Sequence, residues 1–416
     1  MAQGAAPLGR AARLPLMLCG LVLCAPLLLS ICLVALRAAG VSGPVYTSLQ
    51  RWQTPDLLGM QALGPTPTLS GPALLSGAWQ KQVELWWNTR MPLRGIIVRS
   101  TNQAYYSLLN HSLMLDGKIV FGRDHHLYYL VHLQAHCNWT PEPPARLNSR
   151  MEQWARDLKQ VQDHFTSRGK IFVYILAPTK PPGASASLPA GFACPGPTEP
   201  TRKTLLRFIA GSGLRYVDAT AILQLAASRY PDDLLFPRGE YHWTELGATL
   251  VLREALAQAG TSAGSPTLLR LPEFSYRMAA ARGTADEAYG DLLNLWWRAG
   301  PEPLSPRVEF AGGAREGAAQ RLRLALVGDS FLNHPAAILA RSGLFTRIDH
   351  FYYFAGEHRQ YVDGVMTMPP NANQPAESYQ ALAEADVVIL EENQLAIGSP
   401  YITLLRNHLG LGAQAK

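Results

Sequence analysis

The chain has 416 residues, which is long enough for one large domain or two modest ones. Charged residues make up 16% and hydrophobic residues 48%, so a large buried core is possible. The net charge of +6 is spread along the chain without a Lys/Arg run, which argues against nucleic-acid binding.

The first predicted element is a membrane anchor. An uncharged apolar run extends from Leu14 to Leu36, long enough for a membrane-spanning helix. Arg10 and Arg13 precede it and no acidic residue does, so the N-terminus is expected in the cytoplasm and the rest outside. We therefore predict a cytoplasmic segment over 1–13 and an anchor over 14–37. The alternative is a cleaved signal peptide, whose apolar region is shorter and ends at a small-residue site that we do not find here.

Residues 38–77 are rich in Gly, Pro, Ser and Thr, which predicts a linker, and 78–416 are predicted to form one folded domain. Cys137 and Cys194 are the only cysteines outside the apolar run. In an oxidising periplasm this pair would form a disulfide. The sequence has no Cys-x-x-Cys motif, and it predicts neither a metal site nor a cofactor.

Strand-like and helical patterns alternate through most of the predicted domain. Such alternation predicts an α/β fold with a parallel sheet and helices on both faces. The segment Ala259 to Arg321 is less regular and is interpreted as an insertion. The predicted helices are Asn148 to Thr166, Leu205 to Leu214, Glu245 to Gln258 and Pro335 to Arg341, and the predicted strands are Ile171 to Leu176, Tyr216 to Ala219, His350 to Phe354 and Val387 to Leu390.

A Pro/Gly-rich loop from Pro178 to Pro200 follows one of these strands. Loops at the carboxyl end of a strand often carry binding residues, so this loop is expected to line a cleft. Lys180 stands at its start and is a candidate substrate contact; the alternative is an ordinary solvated lysine.

A candidate nucleophile ends another apolar run, Leu324 to Phe331. The run predicts a buried strand that turns sharply at Gly328 and leads into a helix. A serine at such a turn, Ser330, has its hydroxyl exposed at the carboxyl end of the sheet, and its N–H can stabilise an oxyanion. The alternative is an ordinary turn in which Asp329 or Ser330 caps the helix.

A candidate base and acid lie upstream. Histidine is the usual base for a serine nucleophile, and His242 follows Glu240 by two residues. In an extended segment both side chains point to the same side. Thr244 can cap the helix that follows. Together with Ser330 these residues form a candidate Ser-His-acid triad, although Glu240 and His242 alone would be typical of a solvated loop.

The chain resembles the alginate O-acetyltransferase AlgJ/AlgX family, within the SGNH-hydrolase-like superfamily. Several separated sequence blocks match the family, and no single block is specific for it. Their order is specific, because the block with His242 precedes the block with Ser330, whereas most SGNH enzymes have the serine block first. The family carries Asp at the position of Glu240. The matching blocks are Met91 to Arg94, Lys118 to Asp124, Tyr174 to Lys180, Glu240 to Thr244, Gly290 to Leu292, Gly328 to Phe331 and Ala385 to Glu391.

The resemblance implies a circularly permuted, flavodoxin-like SGNH domain that transfers acetyl groups to an exopolysaccharide or cell-envelope polysaccharide in the periplasm. It also implies a membrane-bound O-acyltransferase partner at the inner membrane that supplies the acetyl group. Two alternatives are a polysaccharide acetylesterase with the same triad and a non-catalytic glycan-binding subunit. Besides the triad, the residues assigned to substrate binding are Lys180, Tyr241, Trp243, Asp329 and Asn333.

Overall fold

The structure is a computed structural model of the full chain. It describes residues 24–25, 28–29, 31–33, 35–51, 57–59, 64–90, 93–180, 187–189, 191–264, 268–311, 322–354, 356–369 and 375–412. The chain divides into two compact units, Met1–Met114 with Asp291–Arg298, and Leu115–Gly290 with Ala299–Lys416. The start of the second unit at Leu115 falls inside the range predicted for the folded domain.

Most of the predicted anchor lies outside the described residues. Among the residues that are described, no helix is both long and apolar enough to cross a membrane. The anchor therefore stays a prediction. The predicted linker contains two short helices, Pro44–Arg51 and Gly71–Leu75.

The helices are numbered in chain order from the first complete element. They are α1 (Pro44–Arg51), α2 (Gly71–Leu75), α3 (Ala78–Arg90), α4 (Arg94–Leu109), α5 (Leu130–His136), α6 (Pro144–Thr166), α7 (Pro200–Ile209), α8 (Ala219–Ala226), α9 (Asp232–Leu235), α10 (Glu245–Ser262), α11 (Ala288–Leu292), α12 (Asn333–Ser342), α13 (Pro375–Glu384) and α14 (Pro400–His408).

The strands are β1 (Ile119–Phe121), β2 (Leu127–Tyr129), β3 (Ile171–Ala177), β4 (Tyr216–Asp218), β5 (Phe274–Ala280), β6 (Leu304–Phe310), β7 (Leu322–Gly328), β8 (Phe345–Tyr352), β9 (Glu357–Val362), β10 (Val365–Thr367) and β11 (Val387–Asn393).

The second unit, Leu115–Gly290 with Ala299–Lys416, is built on a seven-stranded sheet in the order β10-β9-β8-β7-β11-β3-β4. The five strands from β8 to β4 are parallel, whereas β9 and β10 add to one edge as antiparallel strands. The prediction of a parallel sheet is therefore correct for the centre and wrong for this edge. The reason is local: β9 turns back on β8, and its half-exposed, charge-containing sequence lacks the apolar run of a central strand.

Helices cover both faces of the sheet, as predicted. Alternate residues of β11 point to opposite faces, so Val387 and Ile389 pack in one cluster and Val388 and Leu390 in the other. The first cluster also takes residues from α8, α10 and α12, and the second from α6, α7, α13 and α14. The carboxyl edge of the sheet is left for the loops that carry the candidate site.

The predicted insertion contains a second, two-stranded antiparallel sheet formed by β5 and β6. A disulfide joins Cys137, just after α5, to Cys194 in the loop before α7. The predicted pair is thus bonded in the structure, and it ties that loop to α5.

Candidate active site

Ser330 stands at the sharp turn that follows β7. A short 3-10 turn, Ser330–Leu332, leads directly into α12, and the Asp329 side chain caps it by accepting a hydrogen bond from the Phe331 N–H at 2.9 Å. Gly328 is required here, because a Cβ at this position would collide with the Glu391 carboxyl group. This tight turn holds the Ser330 hydroxyl at the carboxyl edge of the sheet.

His242 contacts Ser330 directly although 88 residues separate them in the chain. Its Nε2 lies 2.7 Å from the Ser330 Oγ. The loop that carries His242 ends where Thr244 caps α10, accepting a hydrogen bond from the Gly247 N–H at 3.1 Å and donating one to the Leu234 carbonyl at 2.6 Å. The predicted cap therefore fixes the imidazole at the mouth of this helix.

Glu240 approaches the other ring nitrogen. Its Oε1 lies 3.4 Å from His242 Nδ1 and accepts a hydrogen bond from the Tyr241 N–H at 2.7 Å. The Glu240 side chain is almost fully buried. The structure thus brings the three candidate triad residues into one line, with the imidazole between hydroxyl and carboxylate.

Lys180 is buried against the loop that carries Glu240 and His242. Its Nζ donates to the carbonyls of Pro237 at 2.5 Å, Arg238 at 3.0 Å, Glu240 at 3.1 Å and Leu127 at 3.2 Å. Buried carbonyl groups need such donors. The substrate contact predicted for Lys180 does not fit this geometry, because the ammonium group holds the triad loop instead.

Trp243 also has a structural position. Its side chain is 1% exposed and its Nε1 donates to the Phe331 carbonyl at 2.9 Å. This bond ties the histidine loop to the serine turn. The ring of Trp243, predicted as a substrate contact, is therefore packed in the core.

Tyr241, a predicted substrate contact, is half-buried beside the reacting groups. Its ring centroid lies 4.0 Å from that of His242 and 5.7 Å from that of Phe331, the residue after Ser330. Burial raises the pKa of Tyr241, so the phenol keeps its proton at neutral pH. The ring centroid of Tyr241 also lies 4.4 Å from that of His132. The pKa of His132 is lowered to about 4, mainly by burial and to a lesser extent by the nearby His242.

Tyr353 is a second tyrosine beside the serine turn, and no pattern in the sequence singled it out. Burial raises the pKa of its phenol. The backbone of Tyr353 is left-handed, with φ of 50°, and its N–H donates to the Gly328 carbonyl at 2.8 Å. Left-handed backbone at a non-glycine residue is strained, and strained residues cluster at functional sites.

The other two predicted contacts differ in exposure. Asp329 is 5% exposed and serves the turn, and burial raises the pKa of its carboxyl group. Asn333 is exposed, and its Oδ1 accepts a hydrogen bond from Arg359 Nη1 at 2.8 Å. Asn333 therefore remains open to a ligand, whereas Asp329 does not.

A buried acid beneath the serine turn was not predicted. Glu391 Oε2 accepts a hydrogen bond from the Asp329 N–H at 3.0 Å, and the side chain is fully buried. Burial, followed by the neighbouring Asp329 charge, raises the pKa of Glu391 well above its ordinary value. The fold therefore favours the protonated form of Glu391, which supports the turn by accepting from the Asp329 N–H.

Among the described residues, no group of three or more His, Cys, Asp or Glu side chains could hold a metal ion. The candidate site consists of a hydroxyl, an imidazole, a carboxylate and two phenols. Such a set can accept a proton from Ser330, stabilise an imidazolium and donate to an oxyanion.

A family model described as "SGNH hydrolase-like domain, acetyltransferase AlgX" matches residues 119–338, more than half of the chain. No curated protein matches significantly. Among solved structures, the O-acetyltransferase domain of Pseudomonas putida AlgJ is 17% identical, with a TM-score of 0.44, over 70% of this chain and 99% of that chain. Pseudomonas aeruginosa AlgX is 17% identical, with a TM-score of 0.43, over 72% of this chain and 68% of that chain.

Proposed function

The chain belongs to the AlgX family of SGNH-hydrolase-like acetyltransferase domains, and from that membership we propose that it O-acetylates a polysaccharide through Ser330, His242 and Glu240. The observation that carries the proposal is the 2.7 Å contact between His242 Nε2 and Ser330 Oγ. This distance lies within the range in which a base can take a proton from its nucleophile.

In the first half-reaction His242 Nε2 takes the proton of the Ser330 hydroxyl while Oγ forms a bond to the acetyl carbonyl carbon. The bond between that carbon and the donor then breaks, and His242 gives its proton to the leaving group. The product is acetyl-Ser330. Glu240, at 3.4 Å from Nδ1, holds the ring and stabilises the imidazolium that forms in between.

In the second half-reaction a sugar hydroxyl replaces the leaving group. His242 takes the proton of that hydroxyl, its oxygen attacks the acetyl carbon, and the bond to Ser330 Oγ breaks. The proton returns to Ser330. We propose that the Ser330 N–H at the start of the 3-10 turn and the protonated phenols of Tyr241 and Tyr353 donate to the developing oxyanion.

The arrangement also bears on the two alternatives. A decayed triad would not be expected to keep its carboxylate buried against the imidazole, so the geometry disfavours a purely glycan-binding role. Transfer and hydrolysis differ only in whether a sugar hydroxyl or water attacks acetyl-Ser330. Membership of an acetyltransferase family supports transfer.

The test is turnover of a chromogenic acetyl ester, with and without an oligosaccharide acceptor. We expect Ser330→Ala and His242→Ala each to abolish turnover, whereas Ser275→Ala, an exposed serine on β5, should leave it unchanged. Acetylated oligosaccharide in the mass spectrum indicates a transferase, and acetate without it indicates an esterase. Full turnover by Ser330→Ala would refute the nucleophile.

We also propose that the domain works in the periplasm, anchored by 14–37, and receives acetyl groups from a membrane-bound O-acyltransferase. The basis is the apolar run with its leading arginines, together with the family's implied supply route. A reporter fused after Lys416 should be active only if exported. Deleting the membrane acyltransferase should abolish polymer acetylation in cells; undiminished acetylation would contradict this donor.

A further inference from the structure

A polar cavity of about 270 Å³ lies beside the carboxyl edge of the large sheet and is not part of the triad. It is formed where the end of α5, the start of α7 and the loop after β11 meet. Its polar lining comes from His136, Arg150, Glu199, Arg202 and Gln394.

Two of the lining side chains are buried and held in place by hydrogen bonds. Gln394 is 4% exposed; its Nε2 donates to Thr179 Oγ1 and to Glu199 Oε1, the latter at 3.3 Å. Arg202 is 8% exposed and contacts Glu199 at 3.1 Å as well as Asp218. The cavity is therefore lined by fixed polar groups, as preformed ligand sites are.

The charges of this lining do not favour an anion. Arg202 is neutralised by Asp218 and Glu199, and Arg150 contacts Glu142 at 2.8 Å. Burial opposes ionisation of Glu199, but His136, Arg202 and Gln394 lower its pKa, so it stays a carboxylate. The cavity therefore contains a hydrogen-bond acceptor, the Glu199 carboxylate, and donors whose charge is balanced by ion pairs, the Arg150 and Arg202 guanidinium groups. These groups suit the hydroxyl groups of an uncharged ligand.

An aromatic pair, Trp139 and Phe192, lies close in sequence to the residues that line the cavity. Trp139, three residues after His136, is 44% exposed, and its ring stacks on Phe192 with centroids 6.0 Å apart and planes 16° apart. The disulfide between Cys137 and Cys194 ties the two segments together within two residues of each ring. Trp139 lies three residues from His136 of the cavity lining, and an aromatic pair there offers an apolar surface on which a sugar ring can pack.

The cavity and the triad lie along the same helix and the same sheet edge. His132 contacts Tyr241 beside the triad, and His136, one helical turn further along α5, lines the cavity. That turn advances about 6 Å. Gln394 follows β11, which pairs directly with β7, the strand that leads to Ser330. One polymer strand could therefore contact both places.

We propose that the cavity and the Trp139–Phe192 face form a subsite for an uncharged sugar residue of the acceptor polysaccharide, next to the acetylated one. This inference rests on the proposed function for the identity of the acceptor, but not for the binding itself.

The test measures binding by calorimetry to the Ser330→Ala full-length chain, so that no turnover occurs. The probes are uncharged hexasaccharides of glucose, of mannose and of galactose, with hexamannuronate as the charged comparison. Trp139→Ala should weaken binding of the preferred uncharged probe roughly 2- to 10-fold, the range for loss of one aromatic contact. Trp297→Ala, an equally drastic change at a 62% exposed tryptophan in the other unit, should not.

A second variant, Thr201→Phe, fills the cavity from its lining and should abolish the remaining binding. Thermal unfolding checks that both variants remain folded. The inference is overturned if no uncharged probe binds, if hexamannuronate binds more tightly than all of them, if Trp139→Ala behaves like Trp297→Ala, or if Thr201→Phe binds normally while folded. Ester turnover by the unmodified chain is measured in parallel. Turnover without probe binding refutes only the subsite, and binding without turnover refutes only the proposed catalysis.

Discussion

The carboxylate of Glu240 offers a quantitative test of the triad, because the family carries Asp at this position. In the structure Glu240 Oε1 lies 3.4 Å from His242 Nδ1. At this separation and an effective dielectric constant of about 20, a carboxylate and an imidazolium attract each other by about 5 kcal/mol. Losing that attraction in the transition state would lower the rate between about 10³-fold and 10⁴-fold.

Glu240→Gln removes the charge and keeps the shape, so we expect kcat/KM to fall by about 10³ to 10⁴, similar to the loss of about 10⁴ when a triad Asp is changed to Asn in a serine protease. Glu240→Asp keeps the charge but shortens the side chain by one carbon–carbon bond of about 1.5 Å. At about 4.9 Å the attraction between the carboxylate and the imidazolium falls to about 3.4 kcal/mol, so kcat/KM of this variant should fall only about tenfold.

The assay is chromogenic acetyl-ester turnover over a range of substrate concentrations, with thermal unfolding to exclude misfolded variants. Glu240 is buried, so the folding check matters as much as the rate. The reasoning is refuted if Glu240→Gln keeps near-normal turnover while Ser330→Ala has none. Asp329, whose pKa is influenced by the nearby His242, would then be the next acid to substitute.

Three further predictions concern the groups that support the site. Lys180→Met removes the donor for four buried carbonyls, so it should lower the free energy of unfolding by about 3 kcal/mol or more and reduce ester turnover; urea denaturation that matches the unmodified chain would contradict this. Replacing Cys137 and Cys194 by Ala opens a loop of 57 residues, so the free energy of unfolding should fall by about 4 kcal/mol on the loop-entropy estimate. Two free thiols in non-reduced protein from the periplasm would show that the bond is absent. Because the fold raises the pKa of Glu391, the folded chain keeps this proton to a higher pH than the unfolded chain, and stability should fall as pH rises above the ordinary value of about 4.3. Glu391→Gln should therefore melt no lower than the unmodified chain at pH 7 and lose less stability between pH 4.5 and 7; a melting temperature several degrees lower at pH 7 would contradict a neutral Glu391.

The sequence by itself determined the centre of the fold and the choice of Ser330, His242 and Glu240 as the candidate triad. Strands such as β7 and β11 are apolar on both faces, and only a sheet covered by helices on both sides buries such a run. The Thr244 cap and the glycine before Asp329 are local signals, because a helix end and a tight turn are decided by residues next to each other. Local rules therefore located His242 and Ser330 at the ends of the elements that carry them.

Tertiary structure decided which neighbours of the motifs face a ligand. Lys180 and Trp243 lie beside the motifs, yet both turn inward, because their partners are carbonyls 53 to 88 residues away. Tyr353 lies just after β8 and Glu391 at the end of a matching block on β11, and neither was a predicted site residue. Whether a polar side chain is buried depends on partners that only the folded chain brings together, and a local pattern contains no record of them.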